Sequence, residues 1–154
     1  MILQVSSLAF QEGDRIPTKY TCEGQDVSPP IAWSRPPVGT QSLVLILEDP
    51  EDSTAPGGVF THWVLFNIPS DIREMPEGVP PQGKLSSGAL QGKNDFGRIG
   101  YDGPCPDGTG PHRYRFTLYA LDQPLGLEAG ASKKQVLDGI QGHILAHGEL
   151  TGTY

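Results

Sequence analysis

The 154-residue chain has little of what defines several large classes of protein. It has only two cysteines, and no stretch approaches the ~20 apolar residues needed to span a bilayer. Neither a disulfide scaffold nor a membrane-spanning helix is therefore predicted. Positive charge is also scarce, since 18 acidic residues against 11 basic ones give a net charge of -7. Long-range repulsion opposes binding to nucleic acids or anionic membrane surfaces, whereas local donors can still hold a single small anion or a lipid headgroup.

The first residues lack the layout of a secretory signal. Met1 to Phe10 has no basic residue, and polar residues such as Gln4 interrupt its apolar character. We therefore expect a cytoplasmic protein in which Cys22 and Cys105 are reduced. A bridge between them is an open alternative, and across so long a loop it would add about 4 to 5 kcal/mol of stability.

Glycine and proline are abundant instead, with 20 and 15 residues, which is more than a helical bundle tolerates inside its elements. Strands are therefore favoured. Ser42–Glu48 is an apolar run typical of a central strand covered on both faces, and His62–Ile68 is rich in Val, Leu and Phe. Arg113–Leu121 alternates apolar and polar positions, with Tyr114 on the apolar face.

One helix is predicted near the C-terminus. Ser132 and Gln135 form a capping-box pattern, and apolar residues recur at helical spacing from Val136 to Ile144 and Leu145. The segments between the strands are rich in Gly, Pro, Ser and Asp, which is typical of loops. No internal repeat and no linker is apparent, so residues 1–154 are predicted to form one mainly β domain, a β-sandwich with one or two peripheral helices.

Three candidate ligand-binding side chains lie where the predicted strands meet loops. Asp49 follows the first strand, His62 begins the second, and His112 precedes the third. Functional residues concentrate at such junctions. The loop from Gly103 to Pro111 combines stiff prolines with permissive glycines, and its free N–H groups predict an anion-binding nest. A phosphate group would fit this nest.

These residues also resemble the phosphatidylethanolamine-binding protein family, in its prokaryotic Raf-kinase-inhibitor-like branch. The resembling stretches run nearly end to end and are Tyr20–Pro30, Asp49-Pro50 with Ala55-Pro56, Phe60–Val64, Gly100–Pro106 and His112–Tyr114. The resemblance implies an antiparallel two-sheet sandwich with a small cavity for phosphate or a phosphorylated headgroup. It also implies a homodimer and, as members of the family are reputed to do, modulation of a kinase or protease.

Matched residue by residue, the pocket implied by the resemblance uses Asp49, an acid in the following loop, His62, the Gly103-Pro104 backbone, His112 and Tyr114. The compact Asp-Pro-Asp-Ala-Pro pattern of the family is interrupted here, so either Glu51 or Asp52 takes the role of the second acid. We expect protonated histidines and loop amides to face phosphate oxygens and carboxylates to accept from an ammonium group. Affinity should then weaken as pH rises through the histidine pKa.

Three functions share this pocket. The leading prediction is a binding module for a phosphorylated or anionic small ligand, with no cofactor or metal and no evident catalytic nucleophile. One alternative is a hydrolase in which Asp49 and His62 form a general acid–base pair, although no Gly-x-Ser-x-Gly elbow is present. The other is an interaction domain that grips an anionic or phosphorylated side chain of a partner.

Several candidates also have a purely structural interpretation. Each pocket histidine could simply close a strand end, Asp49 could form a turn, and Tyr114 could be a core aromatic. Arg113 is predicted to be an ion-pair partner rather than a ligand contact. His143 and His147 have the i, i+4 spacing of two metal ligands on a helix, but this signal is weak because no third ligand is near. Cys105 is a buried hydrophobe, a half-cystine or a reactive thiol.

Overall fold

The computed structural model describes residues 2–52 and 54–154, which fold into two antiparallel sheets. A small sheet has the strand order β1-β2-β5, and a large sheet has the order β6-β4-β3-β7-β8. The strands are β1 (Val5–Ser6), β2 (Ile31–Trp33), β3 (Ser42–Asp49), β4 (Phe60–Pro69), β5 (Glu74–Met75), β6 (Leu90–Gln91), β7 (Arg113–Leu121) and β8 (Ile144–Thr153). Short 3-10 turns occur at Thr18–Tyr20 and Pro56–Gly58, and the α-helix α1 spans Lys133–Ile140. The predicted mainly β, two-sheet architecture with a helix near the C-terminus is confirmed.

The large sheet is covered on both faces, which explains the apolar run of its central strand. Every residue of β3 is buried. Leu45 and its alternate neighbours pack in a cluster with Ile31 of the small sheet, whereas Ile46 packs in a second cluster with Val136 of α1. Successive side chains of a strand point to opposite faces, so a strand between two apolar layers has no polar face.

The helix α1 begins as the sequence predicts but ends earlier. Ser132 accepts a hydrogen bond from the Gln135 N–H, and the Gln135 side chain accepts one from the Ser132 N–H, so the capping box is present. The chain then turns through Gly142, whose φ is +79°, and enters β8. The predicted helical positions of Ile144 and Leu145 are therefore wrong, because this segment pairs antiparallel with β7 along its length.

Small residues of β8 allow the N-terminal segment to pack closely on this strand. A Cβ atom added at Gly148 would lie 2.1 Å from the backbone oxygen of Leu3. The N–H of Leu3 donates to the carbonyl oxygen of His147 at 2.7 Å. Such glycines weaken the usual strand signal, since β-branched and aromatic residues are what mark a strand in sequence.

The topology of β3 brings the predicted site together. Because β3 runs antiparallel to both β4 and β7, its last residue lies beside the beginnings of both neighbours. Asp49 is paired with Phe60 of β4, and Glu48 is paired with Arg115 of β7. β4 starts two residues before His62, which lies inside the strand rather than at the predicted junction.

A disulfide bond joins Cys22 to Cys105, so the expectation of reduced thiols is wrong. The two cysteines are 83 residues apart in sequence. The loops that carry them are also joined by hydrogen bonds, from the Cys22 N–H to the Pro104 carbonyl oxygen at 3.0 Å and from the Gly103 N–H to Asp26 Oδ1 at 2.8 Å. None of the helices in the described part of the chain has the length and apolar character required to cross a bilayer.

Candidate functional site

A cavity of about 150 Å³ opens at the end of β3, where the predicted site residues meet. Its lining combines acidic and aromatic residues. The lining residues are Asp49, Asp52, Thr54, Phe60, His62, Phe96, Cys105, Asp107, His112 and Tyr114. Larger surface cavities exist elsewhere, but this cavity is the one in which the two predicted histidines converge.

His112 is held between two acids. Its Nδ1 lies 2.6 Å from Oδ2 of Asp49, and its Nε2 lies 2.7 Å from the hydroxyl oxygen of Thr109. The Thr109 hydroxyl has one proton, which it donates to Oδ1 of Asp107 at 2.6 Å. Because the Asp107 carboxylate only accepts, Nε2 must carry the proton of its own bond to Thr109. Both ring nitrogens are therefore protonated, and His112 is an imidazolium.

The surroundings of His112 also shift its pKa in the direction that this hydrogen-bond pattern requires. The hydrogen bond to Asp49 raises the pKa of His112 above its ordinary value, and the charges of Asp49, Asp107 and Glu51 act in the same direction. The side chains of His112 and Asp49 are only 12% and 4% exposed. Water therefore screens this pair weakly, which favours the positively charged form of His112 in the cavity.

His62 has the opposite character. Burial lowers the pKa of its imidazole, and Nδ1 lies 2.7 Å from the backbone oxygen of Asp102. The carbonyl only accepts, so the proton is on Nδ1 and Nε2 is an acceptor. Nε2 makes no hydrogen bond to any described residue, and no fully buried polar side-chain atom among these residues lacks a partner. Nε2 therefore reaches the cavity, and the lowered pKa of His62 opposes the expectation that both histidines are protonated.

The cavity distinguishes the two candidates for the second acid. Asp52 lines it, and its Oδ1 accepts from the N–H and the hydroxyl of Thr54 at 2.9 and 2.6 Å. These hydrogen bonds lower the pKa of Asp52. Glu51 lies outside the lining and accepts from the Arg113 guanidinium at 2.7 Å. The predicted ion-pair role of Arg113 is confirmed.

The backbone of Gly103 and Pro104 does not form the expected anion nest. The Gly103 N–H is already donated to Asp26, and the Pro104 carbonyl oxygen accepts from Cys22. Neither residue lines the cavity. The Thr109 N–H is also used, since it donates to Oδ1 of Asp107 at 2.9 Å. The Gly103 and Thr109 N–H groups are therefore already donated within the protein and are not free for an anion.

Aromatic rings also line the cavity. The rings of Phe60 and Phe96 are 4.8 Å apart between centroids, and those of His62 and Tyr114 are 5.4 Å apart. Burial raises the pKa of Tyr114, so its hydroxyl keeps its proton as a donor. Phe96 is 44% exposed at the rim. Sequence reasoning did not single out the two phenylalanines, and only Phe60 lay within a resembling stretch.

Two arrangements that the sequence offered only as alternatives are not formed. Asp49 and His62 do not hydrogen bond to each other, because Asp49 binds His112 and His62 binds the Asp102 backbone. His143 and His147 do not share a helical turn, since His147 lies in β8. His143 Nδ1 instead lies 2.8 Å from Oδ1 of Asp122.

The fold and the cavity define a two-sheet β protein with a small cavity, lined by charged and aromatic side chains, at the end of its central strand. The family model described as "Phosphatidylethanolamine-binding protein" matches residues 6–154. The chain belongs to the phosphatidylethanolamine-binding protein family, as the motifs indicate.

Relatives similar to the whole chain support this assignment. A "UPF0098 protein" of Methanothermobacter thermautotrophicus is 49% identical over 152 residues, which cover 99% of this chain and 98% of the relative. The crystal structure of a putative phosphatidylethanolamine-binding protein homolog, CT736, from Chlamydia trachomatis has a TM-score of 0.90 and 42% identity, covering 99% and 97% of the two chains. Escherichia coli YbcL, described as a new member of the mammalian PEBP family, has a TM-score of 0.90 and 32% identity over 100% and 98%.

Proposed function

We propose that the protein is a binding module whose pocket holds a small ligand carrying both a phosphoryl group and a cationic amine, as a phosphorylated ethanolamine headgroup does. The observation that carries this proposal is the buried Asp49–His112 pair, with its Nδ1 to Oδ2 distance of 2.6 Å. Below the raised pKa of His112, the pair supplies a positive charge for phosphoryl oxygens directly beside a carboxylate for an amine.

The charge balance of the cavity favours a zwitterion over a simple anion. Three carboxylates line the cavity, those of Asp49, Asp52 and Asp107, and His112 is the one cation among the described lining residues. The Tyr114 hydroxyl and the imidazolium suit phosphoryl oxygens, and the carboxylate of Asp52 suits an ammonium group. The His62 Nε2 is a further acceptor for the amine, and the faces of the aromatic rings attract a cation.

We propose further that the pocket binds without turnover. The lining offers two hydroxyl groups, those of Thr54 and Tyr114. The Thr54 hydroxyl donates to Asp52, and the raised pKa of Tyr114 keeps its hydroxyl protonated, so neither is activated as a nucleophile. The competing hydrolase would need His62 to activate water without the carboxylate partner that the sequence suggested.

An interaction domain remains a second candidate function. The exposed ring of Phe96 at the pocket rim could contact a protein that inserts a phosphorylated or other anionic side chain. Modulation of a kinase or protease, and assembly as a homodimer, stay predictions of the same kind. Light scattering of the purified protein would test the dimer directly.

The predicted cytoplasmic location also stays a prediction. The Cys22–Cys105 bond adds a requirement to it, since the compartment must keep a structural disulfide oxidised. Secreted proteins meet this requirement, and so do intracellular proteins of hyperthermophiles.

Calorimetric titration with phosphoethanolamine tests the proposal. We expect saturable binding that falls at least about tenfold in His112→Gln, because a charge-assisted contact is lost. His143→Gln is the matched control, since His143 also pairs with an aspartate but lies outside the cavity. Absence of binding to the native protein, or equal losses in both variants, would refute the proposal.

Two further arms separate the alternatives. Release of inorganic phosphate from phosphoethanolamine, abolished in His62→Ala, would establish the hydrolase instead. Parallel titrations with glycerophosphoethanolamine and with phosphatidylethanolamine vesicles distinguish a soluble ligand from a lipid headgroup.

A further inference from the structure

The outer ring nitrogen of His112 is already occupied by the protein itself. Opposite Asp49, the Nε2 lies 2.7 Å from the Thr109 hydroxyl and 3.5 Å from Oδ2 of Asp107. Thr109 in turn holds Asp107 through both its hydroxyl and its N–H. An internal carboxylate and hydroxyl thus take the face of the imidazolium that the oxygens of a bound phosphate would need.

This occupation depends on side chains in an exposed loop. Residues 105–110 are all exposed, and in the described chain the backbone from Cys105 to Pro111 makes no hydrogen bond to the backbone of another element. Besides the disulfide at Cys105, the described polar contacts of this loop are those among Asp107, Thr109 and His112. Asp107 is 39% exposed along its side chain, so an amide could replace it without a packing defect.

We propose that Asp107 is the residue that determines the charge selectivity of the pocket, acting through Thr109 on His112 to exclude free inorganic phosphate in favour of phosphorylated amines. This inference rests on the proposed function and identifies the residue that makes the pocket prefer phosphorylated amines. A phosphate dianion must replace or approach the Asp107 carboxylate and is repelled by it. In a zwitterion, attraction between the amine and this carboxylate compensates for the repulsion of the phosphoryl group. The hydrogen bonds from Thr109 lower the pKa of Asp107, so its charge is present at neutral pH.

The repulsion is large enough to measure. Two like charges about 5 Å apart in a partly exposed site repel each other, and this repulsion energy corresponds to a roughly tenfold change in affinity. Removing the charge of Asp107 should therefore raise the affinity for inorganic phosphate about tenfold. The affinity for phosphoethanolamine should change much less, because its amine loses an attractive partner when its phosphoryl group loses a repulsive one.

The test compares Asp107→Asn with the native protein in titrations with inorganic phosphate and phosphoethanolamine. Asparagine keeps the acceptor oxygen that holds the Thr109 hydroxyl. Asp138→Asn is the matched control, since it changes the net charge equally but lies on α1 in contact with Lys134, away from the cavity. Thr109→Val is a second variant, which removes the bridge to His112 and should raise phosphate affinity while Asp107 keeps its charge.

We expect the preference for phosphoethanolamine over phosphate to fall about tenfold in Asp107→Asn and to stay unchanged in Asp138→Asn. Unchanged preference in both Asp107→Asn and Thr109→Val would overturn the inference. If the native protein binds neither ligand, the proposed function fails, but phosphate binding gained in Asp107→Asn would still support the inference. If phosphate binding is then gained in neither Asp107→Asn nor Thr109→Val, both the proposed function and this inference are refuted.

A ligand-free measurement gives a second criterion. The pKa of His112, followed by NMR, should fall in Asp107→Asn, because a carboxylate near its ring is lost. An unchanged pKa would show that Asp107 does not act on this imidazolium in solution.

Discussion

Loss of the Cys22–Cys105 bond should destabilise the protein strongly. The bond closes a loop between residues 83 positions apart. In the chain-entropy model, closing a loop of this length raises the free energy of the unfolded chain by about 4.5 kcal/mol at 25 °C. For a domain of this size, that loss would lower Tm by roughly 10 to 18 °C.

The assay is chemical denaturation of the native protein with and without a phosphine reductant, together with the double variant Cys22→Ser/Cys105→Ser. The chain has only two cysteines, so reduction acts on this bond alone. The reduced protein and the double variant should agree in their free energy of unfolding, and reductant should have no effect on the double variant. A loss below about 1 kcal/mol would refute the entropic reasoning, and two titratable thiols in the folded, unreduced protein would refute the bond itself.

Three further predictions concern pH and packing. The folded-state pKa of His112 is raised, so its contribution to stability is present below the ordinary value of 6.5 and is lost as pH rises through the raised pKa. The affinity for glycerophosphoethanolamine should decrease over the same pH range. NMR titration of the ring with parallel calorimetry checks both. The depressed pKa of His62 works in the opposite sense. As pH falls below 6.5, the unfolded chain binds a proton that the buried ring resists, so the fold should be destabilised, and an unchanged unfolding free energy in acid would contradict this. Gly148→Ala should lower the free energy of unfolding, measured by urea denaturation, by about 1 to 3 kcal/mol, because the added Cβ would meet the Leu3 backbone. Gly126→Ala is the control, since its Cβ would meet nothing within 4 Å. Equal effects of the two substitutions would refute the packing argument.

Local patterns in the sequence determine most of the fold. The apolar run of β3 and the alternation of β7 predict strands because their burial follows directly from side-chain direction. The capping box at Ser132 predicts the start of α1 because it satisfies backbone groups within a single turn. β8 was missed because its glycines serve close packing by distant parts of the chain, Gly148 by Leu3 and Gly152 by Phe10 and Ile16.

The sequence indicates which residues form the pocket, since Asp49, His62 and His112 lie at or within two residues of the ends of strands that pair in an antiparallel order. Tertiary structure alone decided their chemistry. It paired Asp49 with His112 rather than His62, turned Asp52 rather than Glu51 into the cavity, and set Asp107 against His112. It also joined two cysteines 83 residues apart. Protonation and hydrogen bonding depend on distances of a few tenths of an ångström between residues remote in sequence, and no local pattern encodes such distances.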